Sequence, residues 1–578
     1  MGIATAIVLL VGVSCPVAPS HAAKFTVTSA ADQGPGSLRN LILHSNRNGK
    51  ADTIVFASNL TGQTLQPITP LPPLAEGNLT IDGDNDQDGK PEITIDGTTC
   101  GGTGFDVRSQ SNKIRNLAIG HFSKAIAVSG ASGKLNVVSG CRLGTDLAGT
   151  LAAANEYGVY VSGGAGSNTV GGVTSALRNL ISGNTVAGVV VSGGAHNAVL
   201  GNYLGVNLVG SAALATAGGV IVQDGALGPR IGNSTAGSGN VISGNQQQGL
   251  IITGTGTRNT QVLQNLIGTT PDGKSDITNG GDAIDVVGSA GSFAIGAPGQ
   301  GNAICVWGHT TGILVSSPNT GASPIVDNDL TLPFQHSPYQ SNYGIRISLL
   351  YGGGFTGRIA DNFLFDHQEG LACEGAGVHP VVAGNKFQWC RDGITIWTDA
   401  FPNLGNLGDK STSNDGGNQF VQGSGVAVGN HSTKGIKAEG NNWGTTSKTQ
   451  IEAMIYDGRQ HPGCGIVDYD PLIGGVHPTG GGLVHVSGVV AESTNAGVEV
   501  VLTLSAPAEV TVAVLNAAGR TVAALAPQSL PAGLNRLSWG GLSTSGTRVP
   551  AGHYLVRVTA RGTGGGQASS LASLRLVR

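Results

Sequence analysis

The sequence predicts an all-β chain: a solenoid of short parallel strands followed by a small antiparallel β-sandwich. Three observations carry that prediction. Gly supplies 95 of 578 residues, whereas aromatic residues make up 4% and charged residues 11%. "RNLISGNTVAGVVVSGG", "GNVISGNQQQGLIITG" and "GNAICVWGHTTGILVSS" restate one pattern, so that Asn179, Asn240 and Asn302 lie 61 and 62 residues apart. Beyond about residue 485, long runs alternate apolar and polar residues with period two, the mark of half-buried strands.

These numbers also exclude. Collagen needs Gly at every third position, and disorder needs a lower apolar fraction than 39%. A Gly-, Asn- and Val-rich chain suits many short strands joined by turns that need positive φ. A net charge of −4 does not point to a nucleic-acid partner.

Taken in order, residues 1–22 read as a secretory signal, with an apolar run at 3–13 and the small residues of "SHA" before a cut near Ala22. No later segment has the ~20 apolar residues of a transmembrane helix. Six cysteines follow the leader, dispersed and without CxxC pairs. They read as small buried hydrophobes rather than a zinc site.

The stretch "DGDNDQDGKPEITIDG" (82–97) is the most specific ligand signal. Asp84, Asp86 and Asp88 alternate ahead of Gly89, as in the first half of an EF-hand loop, where hard oxygens wrap one Ca²⁺. The twelfth position is Ile95, so further ligands must come from elsewhere, such as Asp82 or Glu92. The alternative is a solvated acidic turn.

The period of about sixty recurs in glycines as well: Gly144, Gly205 and Gly268 each close an "xLG" or "LIG" triplet. Sixty divides into three coils of ~20 residues, the length of one solenoid repeat. Stacked coils pair each strand with its copy ~4.8 Å away. Asn at a turn is expected in the left-handed region, hydrogen-bonded to its own copy in the next coil. After residue 340 the coils align at an offset of 23, setting Asn362 over Asn385 and Gly370 over Gly393.

That offset also sets Glu369 over Asp392 and Gln368 over Arg391, with Asp366, His367 and Glu374 close by. Two carboxylates ~5 Å apart beside an Arg suit calcium or acid/base chemistry. Glu369, Arg391 and Asp392 are therefore catalytic candidates, with paired charges on a solvated face as the alternative. Tyr351, Phe355, Phe363, Phe365, Phe387, Trp389 and Trp397 concentrate between 350 and 400. Outward-facing members make a sugar-stacking groove, so Asp366, His367, Glu374, Trp389 and Trp397 are the substrate-binding candidates. A serine-nucleophile elbow is absent.

The opening "FTVTSAADQGPGSLRNLI" (25–42), the "NVISGN" coils and the closing "NNWGTTSKTQIEAMIYDG…GIVDYDPLI" (441–473) resemble exported bacterial right-handed parallel β-helix proteins of the pectin-lyase-like superfamily. The resemblance implies one right-handed parallel β-helix over 23–475, with an N-terminal cap region at 23–100. "IEAMIYD" is read as the one helix, capping the solenoid's C-terminal end. Polysaccharide lyases of this fold use Asp-rich calcium sites with an Arg or Lys base. No contiguous lyase motif occurs here, so no catalytic role is carried over.

Residues 476–485 read as a linker and 486–578 as an antiparallel sandwich with Trp539 and Tyr554 in its core. Through "VLNAAGRTV", "LSWGG" and "VPAGHYLVRV" this module resembles the Ig-like module of flagellar hook-capping proteins and the sorting domains of the type IX secretion route. The whole reads as a monomeric secreted or surface-displayed protein. It binds an extracellular polysaccharide or cell-surface component and needs no cofactor beyond calcium. The alternative is a polysaccharide lyase or glycoside hydrolase.

Overall fold

The computed structural model describes residues 22–331, 343–470 except 410, 422 and 424, and 486–576 except short turns at 495–496, 505–506, 517–519, 532, 544–545 and 563–566. The leader and the linker lie outside the described residues.

β-Branched runs of two to six residues, cut off by Gly, Asn and Asp, form strands that bond only to their counterparts in the coils above and below. Three sheets of 13 strands result, and every pairing within them is parallel. The third sheet begins at Thr103–Val107, and from Lys113–Arg115 to Asp392–Trp397 the chain visits the first, second and third sheet in turn. The architecture is thus a parallel β-helix, and Asn179 and Asn240 belong to the same stack. Residues 24–100 contribute strands to the first and second sheets only.

Register keeps like over like. On the third sheet Ile126, Val159, Val189, Val220, Leu250, Ile284, Ile313, Ile345, Leu371, Ile394 and Val428 form one inward column. All are at most 1% exposed. Fully burying each such side chain stabilises by roughly 1.5–3 kcal/mol. Four cysteines are buried and two half-buried, and all six are free.

The corners correct the expected repeat. Asn179 bonds not to Asn240 but to Asn202, 23 residues on, and the ladder continues at intervals of 38, 25 and 37 through Asn240, Asn265 and Asn302. One period of about sixty is therefore two coils, not three. The coils alternate. Residues 144–156, 205–217 and 268–282 leave the second sheet as long loops, each closed by an antiparallel bridge such as Val206–Ala213. They fold back over the sheet's outer side, where Leu180, Tyr203, Val206 and Val241 pack with Leu266 and Ile277. A loop that covers two strands is needed only at every second coil, which sets the doubled period.

The ladder asparagines are not left-handed either. Among the described residues the positive φ falls on the residue just before many of them: Gly201, Gln264, Asp327, Asp361 and Gly384 precede Asn202, Asn265, Asn328, Asn362 and Asn385. That residue turns the corner, which frees the Asn side chain to point along the stack. Gly144, Gly205 and Gly268 recur for a different reason. Each has φ between 78° and 93°, and a Cβ there would lie 2.0–2.4 Å from a carbonyl or side-chain oxygen of the next coil.

Among the described residues two α-helices are present where one was expected. Helix α1 (Leu38–Ser45) is capped by Ser37, whose Oγ accepts from Asn40 N–H, and it buries Leu38, Leu41 and Ile42 at helical spacing. Helix α2 (Lys448–Ala453) starts before "IEAMIYD" and buries Ile451; Ile455–Tyr456 then becomes the last strand of the third sheet. The second unit, Val486–Leu576, comprises antiparallel sheets around a separate core that includes Val500, Val512, Trp539 and Val558. Tyr554 packs against this core and donates its hydroxyl to Pro550 O at 2.9 Å.

Candidate functional site on the third sheet

Alternation on strands Tyr343–Ser348, Glu369–Glu374 and Asp392–Trp397 buries Ile345, Ile347, Leu371, Cys373, Ile394 and Ile396. Arg346, Glu374, Thr395 and Trp397 alternate with them onto the outer face. Tyr343, Glu369 and Asp392 open the three strands ahead of Gly344, Gly370 and Gly393, which face core side chains and break the alternation; Glu369 bonds Thr395 and Tyr343 lies under Arg346 on the same outer side. Glu369 pairs with Asp392 and Glu374 with Trp397, the register the 23-residue offset predicted.

Each acidic group has a defined partner. Asp392 receives the Arg391 guanidinium at 2.8 Å and Val426 N–H at 3.0 Å. Glu369 accepts from the Thr395 hydroxyl. Burial pushes the Glu369 carboxyl above its ordinary range; Thr395 opposes this and Asp392 adds to it. Glu374 is clamped bidentately by Arg346 at 3.1 and 2.9 Å and by Ser348 Oγ at 2.6 Å. The Arg346 guanidinium also lies 4.6 Å from the Tyr343 ring centre. Sequence reasoning missed Tyr343 and Arg346, although "YGIRIS" is the strand directly preceding Glu369–Glu374.

Trp397 stands on the outside, 40% exposed. It begins a column of rings along the stack: Trp397 on His431 at 3.8 Å, His431 on Tyr456 at 4.3 Å, and Tyr456 on His461 at 3.7 Å. His431 covers one face of the indole and Glu374 is its neighbour on the preceding coil, so the exposed part of the ring is what a ligand meets.

The other predicted residues divide. His367 is buried at the corner with Nε2 3.0 Å from Leu330 O, and burial lowers its pKa to about 4. Asp366 is 5% exposed in a left-handed turn. Neither lines the face, because the corner turns their side chains inward. Trp389 is 37% exposed but stands beside Phe365, at 5.3 Å, at the end of the second sheet. Phe355 and Phe387 are core residues, whereas Tyr351 is fully exposed. The aromatics therefore occupy two faces rather than one groove.

At the N-terminal end, Asp84, Asp86, Asp88 and Glu92 bring one carboxylate oxygen each to within 4.8 Å of one another. Glu92 is the fourth carboxylate of the group. Asp82 instead pairs with Arg115 at 2.7 Å and accepts from Asn116. Ile95, at the twelfth position, is a core residue. Burial, and then the repulsion of Asp86, Asp84 and Asp88, raise the Glu92 pKa. Four converging hard oxygens fit a divalent cation, although Lys90 already bonds Asp88.

Comparison with known proteins adds the following. No curated protein matches the chain. Among solved structures, the A-module of mannuronan C-5 epimerase AlgE6 from Azotobacter vinelandii is similar at 12% identity and a TM-score of 0.38, over 62% of this chain and 98% of that one. A tailspike protein mutant of E. coli bacteriophage HK620 is similar at 12% identity and a TM-score of 0.33, over 93% of this chain and 88% of that one. A double mutant of the same tailspike, in complex with pentasaccharide, gives 12% identity and a TM-score of 0.31, over 93% and 86%. No helix among the described residues is long and apolar enough to cross a membrane. Residues 488–564 match the FlgD Ig-like domain family, so the chain is a parallel β-helix followed by a module similar to that domain.

Proposed function

We propose that the protein is exported and binds carbohydrate on the outer face of the third sheet, with the FlgD-like module serving display or assembly. The observation that carries this reading is the outward Trp397 in register with Glu374, at the far end of the strand pair that opens with Glu369 and Asp392 beside Arg391. An exposed indole face packs on pyranose C–H surfaces, while carboxylates and Arg exchange hydrogen bonds with hydroxyls. Calcium belongs to the same proposal, held at Asp84, Asp86, Asp88 and Glu92. It would order the first coils and stands apart from the glycan face.

A glycan array probed with the full chain tests the reading. Trp397→Ala should lower retention of a bound glycan at least tenfold, and raising salt from 50 to 500 mM should change it less than threefold. No retained glycan, or retention unaffected by Trp397→Ala, overturns it. A second reading, a glycoside hydrolase or polysaccharide lyase, is favoured by the raised pKa of Glu369 beside Asp392, a pairing that separates an acid from a base. Release of reducing ends or unsaturated uronates by the wild type, stopped by Asp392→Asn, would replace the binding reading.

A further inference from the structure

Three coils before Glu369, the third sheet carries another carboxyl pair on its outer side, one that the sequence analysis did not single out. Strand Ile284–Val286 sends Ile284 and Val286 into the core, and alternation turns Asp285 the other way. Asp285 is nevertheless 6% exposed, flanked in register by Ile251 and Leu314 of the adjoining coils. Its Oδ1 is buried without a hydrogen-bond partner. Asp282, on the same coil, accepts Thr311 N–H on Oδ1 at 2.6 Å.

Among the described residues the surroundings supply no compensating cation. The preceding coil presents Gln248, a neutral hydrogen-bonding group, and the strands Leu250–Ile252 and Thr311–Val315 carry no titratable side chain. Arg346, the residue after Leu314 in the same column, is engaged by Glu374. Asp272, Lys274 and Asp276 lie on the exposed loop that leads to Asp282, and His309 on the exposed corner before Thr311. A buried carboxyl facing a second carboxylate is stable only if one positive charge lies between them. Burial first, and then Asp282, push the Asp285 pKa up to about 8.

We propose that Asp282 and Asp285 share one proton and act as a pH-operated latch on the outer face of the third sheet, closed while the proton is held and loosened when it leaves. This is independent of whether the face binds glycan. In the unfolded chain Asp285 ionises near its ordinary value of about 3.9. The folded state keeps the proton until about pH 8. The folded state thus binds the extra proton between those values, and stability falls as pH rises through that window, levelling off above it. The change is up to tenfold per pH unit in the opening constant.

The test is thermal unfolding of the full chain with chelator, from pH 5 to 9.5, for wild type and Asp285→Asn. The wild-type midpoint should fall relative to the variant across pH 5 to 8, and parallel curves overturn the latch. If the variant does not fold, wild-type hydrogen exchange decides. Residues 282–287 should lose protection between pH 7 and 9 beyond the intrinsic pH effect read at 93–96, and equal behaviour overturns the proposal. In the Asp84→Ala/Asp86→Ala chain, recovery of protection at 282–287 at pH 9 on adding 5 mM calcium would also overturn it, because the pair would then hold a cation instead of a proton.

Discussion

Replacing Asn240 by Ala removes one link from the longest ladder, and the structure lets the cost be worked out. Asn240 is fully buried. Its Nδ2 donates to Val199 O at 2.8 Å and to Asn265 Oδ1 at 2.9 Å. Its Oδ1 accepts Asn202 N–H and Nδ2–H, both at 3.0 Å. After substitution Asn202 N–H is left without its partner inside the stack, whereas Val199 O keeps the backbone N–H of Gly232 at 2.9 Å and Asn202 Nδ2 keeps Val170 O at 2.9 Å. A buried group left unpaired costs about 1–3 kcal/mol, and one such group sets the expected loss at about 1–3 kcal/mol. Asn240→Asp should cost at least as much, since it also places a charge where an amide donated. A solenoid does not unfold as one unit, so hydrogen exchange around residues 199–204 and 240–242 is the direct readout, with the first denaturation midpoint beside it. A loss below 1 kcal/mol for Asn240→Ala would refute the claim that these bonds, rather than the apolar columns, fix the corners.

Other predictions follow from single positions. Gly205→Ala meets both a positive φ of 85° and Ser243 O at 2.4 Å, so a loss of about 1–3 kcal/mol or more is expected in the same assay. His367 is held neutral by burial, with its pKa lowered to about 4. The unfolded chain takes up that proton near pH 6.5, so stability should fall as pH drops from there toward 4. The expected total is about 3 kcal/mol, and a His367→Gln midpoint curve should lack this limb. Calorimetry should detect calcium uptake by the full chain that Asp84→Ala/Asp86→Ala abolishes, whereas Asp82→Asn should leave it in place. No uptake at millimolar calcium returns the loop to a solvated turn.

The fold class was legible because a parallel stack repeats its demands in every coil. A β-branched strand core, a corner residue at positive φ and an Asn beside it all recur, and recurrence survives in one dimension. The 23-residue offset predicted the pairing of Glu369 with Asp392 because that one coil carries no inserted loop, so all three sheets shift by the same 23 residues there. The same logic failed at 179–302, where a single apparent period hides a short coil and a long one. Helix α1 was legible in principle, since Ser37 caps it and Leu38, Leu41 and Ile42 recur at helical spacing; the β-rich surroundings masked it.

By itself, then, the sequence determined which residues recur, which strands stack and which acidic loop has the spacing to gather oxygens. Tertiary structure alone decided which way each corner turns its side chains. His367 and Asp366, adjacent to Glu369 in the chain, point inward, while Trp389 and Trp397, eight residues apart, stand on different sheets. It also brought Arg346 onto Glu374 and Asp282 beside Asp285, contacts between groups whose charges give no periodic signal. Strand periodicity fixes a side chain's face only while the strand lasts; at a corner one left-handed residue resets it, and the direction that follows is set by packing against the next coil.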